Sequence, residues 1–176
     1  MSIEAVTLDI YGTLLDLSPV LLPAAEKILG VERVRGELGE YIFGIDDETL
    51  PGNAARLLEE KNLSLAMVDA LTRGVICCEM GRVIKPGLFK GGLILDTPAP
   101  PAELCERARD EFKADVVLVL AAFEEEEGRF RAEALANGPL GRGEWTQEFK
   151  GPMQIILRRA GAMALFTLYT FLRDEK

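Results

Sequence analysis

Over residues 4–11, apolar and polar positions alternate with the two-residue period of a strand, and Gly12 punctuates its end. Ser18 and Pro19 supply an N-cap and a first helical residue, predicting a helix that stops at Gly30. Residues 31–38 read as a second short helix, and Thr49 caps a third that continues to Lys61. From there strands and helices take turns. Residues 63–68 predict a strand, 69–80 a helix, 88–96 a strand carrying Gly91 and Gly92, and 102–113 a helix. Residues 115–123 are almost unbroken in apolar character, the mark of a central strand buried on both faces. Residues 129–136 and 143–150 predict an antiparallel pair, and Pro152 opens a last helix over about residues 154–173. This order predicts an α/β protein: a three-layer α/β/α domain over residues 51–176, preceded by a small α/β segment over residues 1–50.

The last helix holds an uncharged stretch, residues 160–172, directly after Arg158 and Arg159. That stretch is shorter than the roughly 20 apolar residues a membrane span needs. A helix buried in the core or facing another copy is expected, and a homo-oligomer with it.

Composition narrows the chemistry. With 48% hydrophobic and 28% charged residues the chain can bury a core. Its 20 Lys and Arg against 29 Asp and Glu leave a formal charge of −9, a field that repels phosphate backbones and anionic lipid. Neither a nucleic-acid partner nor a membrane is therefore expected. There is no His, which removes His-based triads and most transition-metal sites, so no metal and no cofactor are expected. Three Cys, two of them adjacent, make no disulfide framework, and Cys77 and Cys78 beside Val75 and Ile76 read as small buried hydrophobes. No basic segment followed by an apolar run opens the chain, so a cytoplasmic location is expected. The acids Asp46, Asp47 and Glu48 suit a helix start, and residues 124–127, all Glu, read as a solvated turn.

Residues 38–50, Leu-Gly-Glu-Tyr-Ile-Phe-Gly-Ile-Asp-Asp-Glu-Thr-Leu, resemble the linker of the competence/damage-inducible protein CinA family, where a similar run leads from a KH-like segment into the C-terminal domain. The resemblance continues through residues 57–66, at Phe89-Lys90-Gly91-Gly92, around residues 107–120 and in the closing helix. It implies a nicotinamide mononucleotide amidohydrolase scaffold, built around a run Ala-Glu-Ser-Cys-Thr-Gly-Gly at a strand-to-helix junction. A hydroxyl nucleophile belongs there, because a helix N-terminus offers backbone N–H groups to a phosphate or oxyanion. In register this chain reads Val68-Asp69-Ala70-Leu71-Thr72-Arg73-Gly74. Ala70 takes the nucleophile's place, Leu71 that of the Cys, and Arg73 that of the first Gly. A methyl group cannot attack an amide carbon.

Three further stretches depart from the family pattern. Asp96-Thr97-Pro98-Ala99-Pro100-Pro101 replaces a Tyr-Ser-Asn run and its following Lys. Residues 121–127 put glutamates where a Gly-rich ligand loop belongs, and Gly151-Pro152-Met153 replaces Gly-Asp-Arg. The resemblance thus implies a CinA-type domain without its amidohydrolase site, an oligomerisation, interaction or small-ligand scaffold. Its candidate ligand pocket is Asp69, Thr72, Gly91, Gly92 and Asp96, and its partner is an unidentified small molecule or protein.

Two catalytic alternatives stand beside this. One is an active amidohydrolase with relocated residues, Thr72 and Asp69, although Thr72 lies two positions along and no base for it is visible in the sequence. The other rests on Asp9-Ile-Tyr-Gly-Thr-Leu, which resembles the first motif of haloacid dehalogenase-type hydrolases and would make Asp9 a nucleophile. A KH-like segment that bound RNA would need a basic Gly-x-x-Gly loop, and none is found.

Overall fold

The computed structural model describes residues 49–126 and 128–173. The expectations for the N-terminal strand and helices, for Asp9, and for Asp46, Asp47 and Glu48 lie outside the described residues, as does Glu127. The described elements, in chain order, are α1 (Leu50–Glu60), β1 (Leu65–Ala70), α2 (Val75–Val83), β2 (Phe89–Ile94), α3 (Pro101–Phe112), β3 (Val116–Glu126), β4 (Arg129–Gly138), β5 (Gly141–Lys150) and α4 (Met153–Arg173). They form a mixed α/β fold around one five-stranded sheet of order β2-β1-β3-β4-β5. The first three strands run parallel and the last two antiparallel.

The apolar pattern explains the layering. Every residue of β1 is buried, as are the first seven of β3, so this parallel pair forms the floor of both cores. On one face Ala66, Val68, Val117, Val119 and Leu135 pack against Leu104, Cys105 and Ala108 of α3. The opposite face, carrying Leu65, Met67, Leu118 and Leu120, is covered by α1, α2 and α4. Parallel strands require crossovers, and the two here, through α2 and then α3, fall on opposite faces because β3 returns past β1. Arg109 of α3 donates to the side-chain oxygen of Asn137 at 3.1 Å, which ties that helix to β4.

Helix α4 is long and apolar enough to cross a membrane by length and composition, with a mean hydropathy of 1.4, and 61% of that stretch is buried within the fold. Its buried side chains include Ile156, Leu165, Leu168 and Leu172, which face α1 and strands β3–β5. The domain's own core accounts for its apolar character.

Of the boundaries that differ from the sequence reading, three bear on the site and its surroundings. β1 extends to Ala70 because Asp69 and Ala70 still pair with Leu120 and Ala121, and α2 accordingly starts at Val75, six residues later than expected. The glutamates 124–126 continue β3 instead of turning. Arg131 on β4 makes this possible, pairing with Glu125 at 2.6 Å and with Glu133 while its guanidinium lies over Phe123.

One polar staple joins the approaches to the two central strands. The Asp115 carboxylate accepts from the Ser64 amide at 2.9 Å and from its hydroxyl at 2.5 Å, while the Asp115 amide donates back to Ser64 Oγ at 3.0 Å. These bonds hold the Asp115 carboxyl below its ordinary range, the Ser64 hydroxyl contributing most and the Ser64 amide next. A depressed carboxyl stabilises the fold above its unfolded pKa, and that gain disappears as pH falls through the folded value. Ser64→Ala is expected to cost about 1–2 kcal/mol at neutral pH. Urea titrations should show the gap between the two proteins narrowing once the pH drops below about 4.

Candidate functional site

The turn between β1 and α2 is where the resemblance places chemistry, and the chain organises it around Asp69. This residue is fully buried at the end of β1. One carboxylate oxygen accepts from the backbone N–H groups of Leu71 at 3.1 Å and Thr72 at 2.6 Å. The other accepts from the Gly74 N–H at 2.7 Å and from the Thr72 hydroxyl. Thr72 Oγ1 in turn accepts from the Ile76 N–H at 3.4 Å, in the first turn of α2. The donors that a strand-to-helix turn would aim at an external anion are thus engaged by the protein's own carboxylate and hydroxyl.

Backbone geometry supports the same arrangement. Arg73 and Gly74 both adopt the left-handed conformation, with φ of +57° and +92°, which folds the turn back over Asp69. A side chain at Gly74 would meet Ile94 Cδ1 at 2.7 Å. The exposed Ile94 thus lies over the turn and makes its approach apolar.

The sequence-derived site residues separate into distinct environments. Asp69 and Thr72 are brought together by a direct hydrogen bond, so Thr72 does have a carboxylate partner that the sequence did not reveal. Both are buried, at 0% and 4% exposure. Ala70 is 8% exposed and pairs with Ala121, so its methyl sits among small apolar neighbours of the α3-side core. Leu71 is half-buried and Arg73 is exposed.

Gly91 and Gly92 differ in their surroundings: the Phe112 ring stands where a Gly91 side chain would be, whereas Gly92 is exposed and a Cβ added there would lie 3.0 Å from Cys77 Sγ. Asp96 is exposed beyond the end of β2. A shallow groove elsewhere, lined among others by Pro100, Pro101, Glu133, Leu135 and Glu144, includes none of these residues. Among the described residues, no cluster of three or more Cys, Asp or Glu is placed to hold a metal ion.

Burial decides thiol chemistry here. It pushes the Cys77 thiol up to about 12, with the Asp69 carboxylate and Cys78 adding to the rise. Burial also raises Cys105, against the opposing pull of Arg109 and Arg142. Cys78 is exposed. A thiol reagent at neutral pH is therefore expected to modify Cys78 rapidly and the other two only on unfolding. Loss of the fast phase in Cys78→Ser, read by mass spectrometry, checks this.

Comparison with known proteins places the fold. No family model matches the chain. A putative competence-damage inducible protein of Halothermothrix orenii is 36% identical over 67 residues, covering 36% of this chain and 16% of that protein. The CinA-like protein of Dictyoglomus thermophilum is 35% identical over 75 residues, covering 40% of this chain and 18% of its own length. The chain thus spans less than a fifth of these relatives.

Among solved structures, the competence damage-inducible protein A of Klebsiella pneumoniae superposes with a TM-score of 0.62 at 15% identity, covering 72% of this chain and 97% of that one. A CinA superfamily protein from Enterobacter cloacae gives 0.61 at 19% identity, over 70% and 90%.

Proposed function

The chain is related in sequence to CinA-like proteins and has the fold of the CinA superfamily, and from that premise we propose that its domain acts by binding instead of by turnover, as a pseudo-amidohydrolase. The observation that carries this reading is the Asp69 carboxylate seated on the turn's backbone donors. A phosphate-bearing substrate would have to displace a buried anion that already accepts three backbone bonds and one hydroxyl. Ala70 adds the second reason, since the position that the family resemblance gives to a nucleophile carries no heteroatom. The third is electrostatic. Glu124, Glu125 and Glu126 follow the strand segment beside Ala70, where they repel a substrate phosphate.

The test is direct. The purified protein incubated with nicotinamide mononucleotide is expected to release no ammonia above a blank, and Ala70→Ser is expected to stay inactive because Asp69 still fills the turn. Ammonia release by the unmodified protein that Thr72→Ala abolishes would overturn the reading.

A further inference from the structure

Among the described residues, five large apolar side chains are exposed: Val75, Val83, Ile94, Met153 and Ile155. Four of them belong to one edge of the sheet. Ile94 ends β2, Val75 follows the turn after β1, and Met153 and Ile155 open α4 after β5, which runs parallel to β1. Ile94 Cδ1 stands 2.7 Å from where a Gly74 Cβ would be, so Val75 and Ile94 adjoin the same turn. At Gly161, α4 lies against Thr72 and Ile76 of that turn and its helix. Apolar side chains gathered on one exposed edge mark a contact surface, which the same number scattered singly would not.

Arg73 sits beside Val75 and Ile94, in a conformation that does not suit it. Its φ of +57° is left-handed. The other two non-glycine residues of positive φ, Asn62 and Lys113, each follow a helix end, where that conformation closes the last turn. Arg73 has no such place, and its backbone would be better served by glycine. Its side chain is exposed, and its guanidinium makes no hydrogen bond or ion pair among the described residues. Asp96, two residues past Ile94, is exposed but does not pair with it.

We propose that this edge docks a segment of a partner protein that carries a carboxylate between apolar side chains. The inference rests on the reading above, that the domain binds without turnover, and names the kind of partner. Asp69 already occupies the amides of the turn. What the edge offers a partner is apolar contact from Val75 and Ile94, and the unpaired Arg73 guanidinium beside them. The apolar contact supplies affinity. The guanidinium selects the charge, because a carboxylate matches its planar fork with two parallel bonds. A neutral or basic side chain in that place would cover the cation without compensating it.

The probe is the end-blocked peptide Leu-Glu-Leu, compared with Leu-Gln-Leu and Leu-Lys-Leu, each titrated into the full chain and followed by amide NMR shifts. Leu-Glu-Leu is expected to give saturable shifts at residues 71–75 and 94, with the other two binding about fivefold more weakly or worse. Arg73→Glu should reverse the order, so that Leu-Lys-Leu binds best. Ile94→Ser should weaken all three peptides alike. Arg73→Gly should lose the preference for the carboxylate and raise the urea midpoint, because glycine relieves the left-handed backbone. Absence of saturable shifts at these residues, a carboxylate preference that survives Arg73→Glu, or an Arg73→Gly midpoint below that of the parent would each overturn the proposal. Ammonia release from nicotinamide mononucleotide would remove its premise, whereas neither ammonia nor peptide binding would overturn the docking surface alone.

Discussion

Asp69→Ala is expected to lower the unfolding free energy by about 3–5 kcal/mol, among the largest losses available to a single polar substitution in this domain. The carboxylate is fully buried and is the acceptor for the Leu71, Thr72 and Gly74 amides and the Thr72 hydroxyl. Its removal strands several donors in a place where water must enter or the turn must unfold. Thr72→Val should cost less, about 1–2 kcal/mol, because it removes one hydroxyl and leaves the three amide bonds in place. Asp69→Asn should fall between them: its oxygen can still accept from two amides, but its NH2 would face the Gly74 N–H, donor against donor. Urea unfolding of the three variants gives the order. An Asp69→Ala protein within about 1 kcal/mol of the parent would show that the turn does not depend on its internal anion, and the case for a closed site would fall with it.

The outline of this arrangement was legible in the sequence and its key detail was not. The apolar run of β3, the Gly-punctuated alternation of strands and helices, and the long final helix follow from periodicities that tertiary contacts reinforce. Asp69 before an apolar helical stretch reads locally as an N-cap, which sets the expected helix start too early. In the fold the same residue is a strand residue paired opposite Leu120 and Ile94, and it caps the turn from below while α2 waits until Val75. Pairing with strands 25 and 51 positions away decided that boundary, and no local pattern contains it. Residues 124–126 illustrate the same limit from the other side: a run of acids looks like a turn until Arg131, across the hairpin, supplies the countercharge.

The pair Gly91-Gly92 offers the second large effect, because the sequence marks both as part of a ligand cradle and the fold gives them unequal work. Gly91 follows the β1/β2 register shift at a φ of +145°, which side chains rarely adopt, and the Phe112 ring occupies the space a Cβ would need. Gly92 has no positive φ, and a Cβ added there would first meet the Cys77 sulfur at 3.0 Å, the end of a short side chain that can rotate. Gly91→Ala is therefore expected to cost about 2–4 kcal/mol, and Gly92→Ala less than about 1 kcal/mol. Shrinking the ring separates the two causes at Gly91. In the Phe112→Ala background the Gly91→Ala penalty should shrink, by about the steric part, and keep the backbone part, so the double-mutant cycle reports a coupling of about 1 kcal/mol or more. Equal costs at the two glycines, or no coupling between Gly91 and Phe112, would mean that packing by the chain itself does not explain the pair. The space beside β2 would then have to be reconsidered as one kept open for something else.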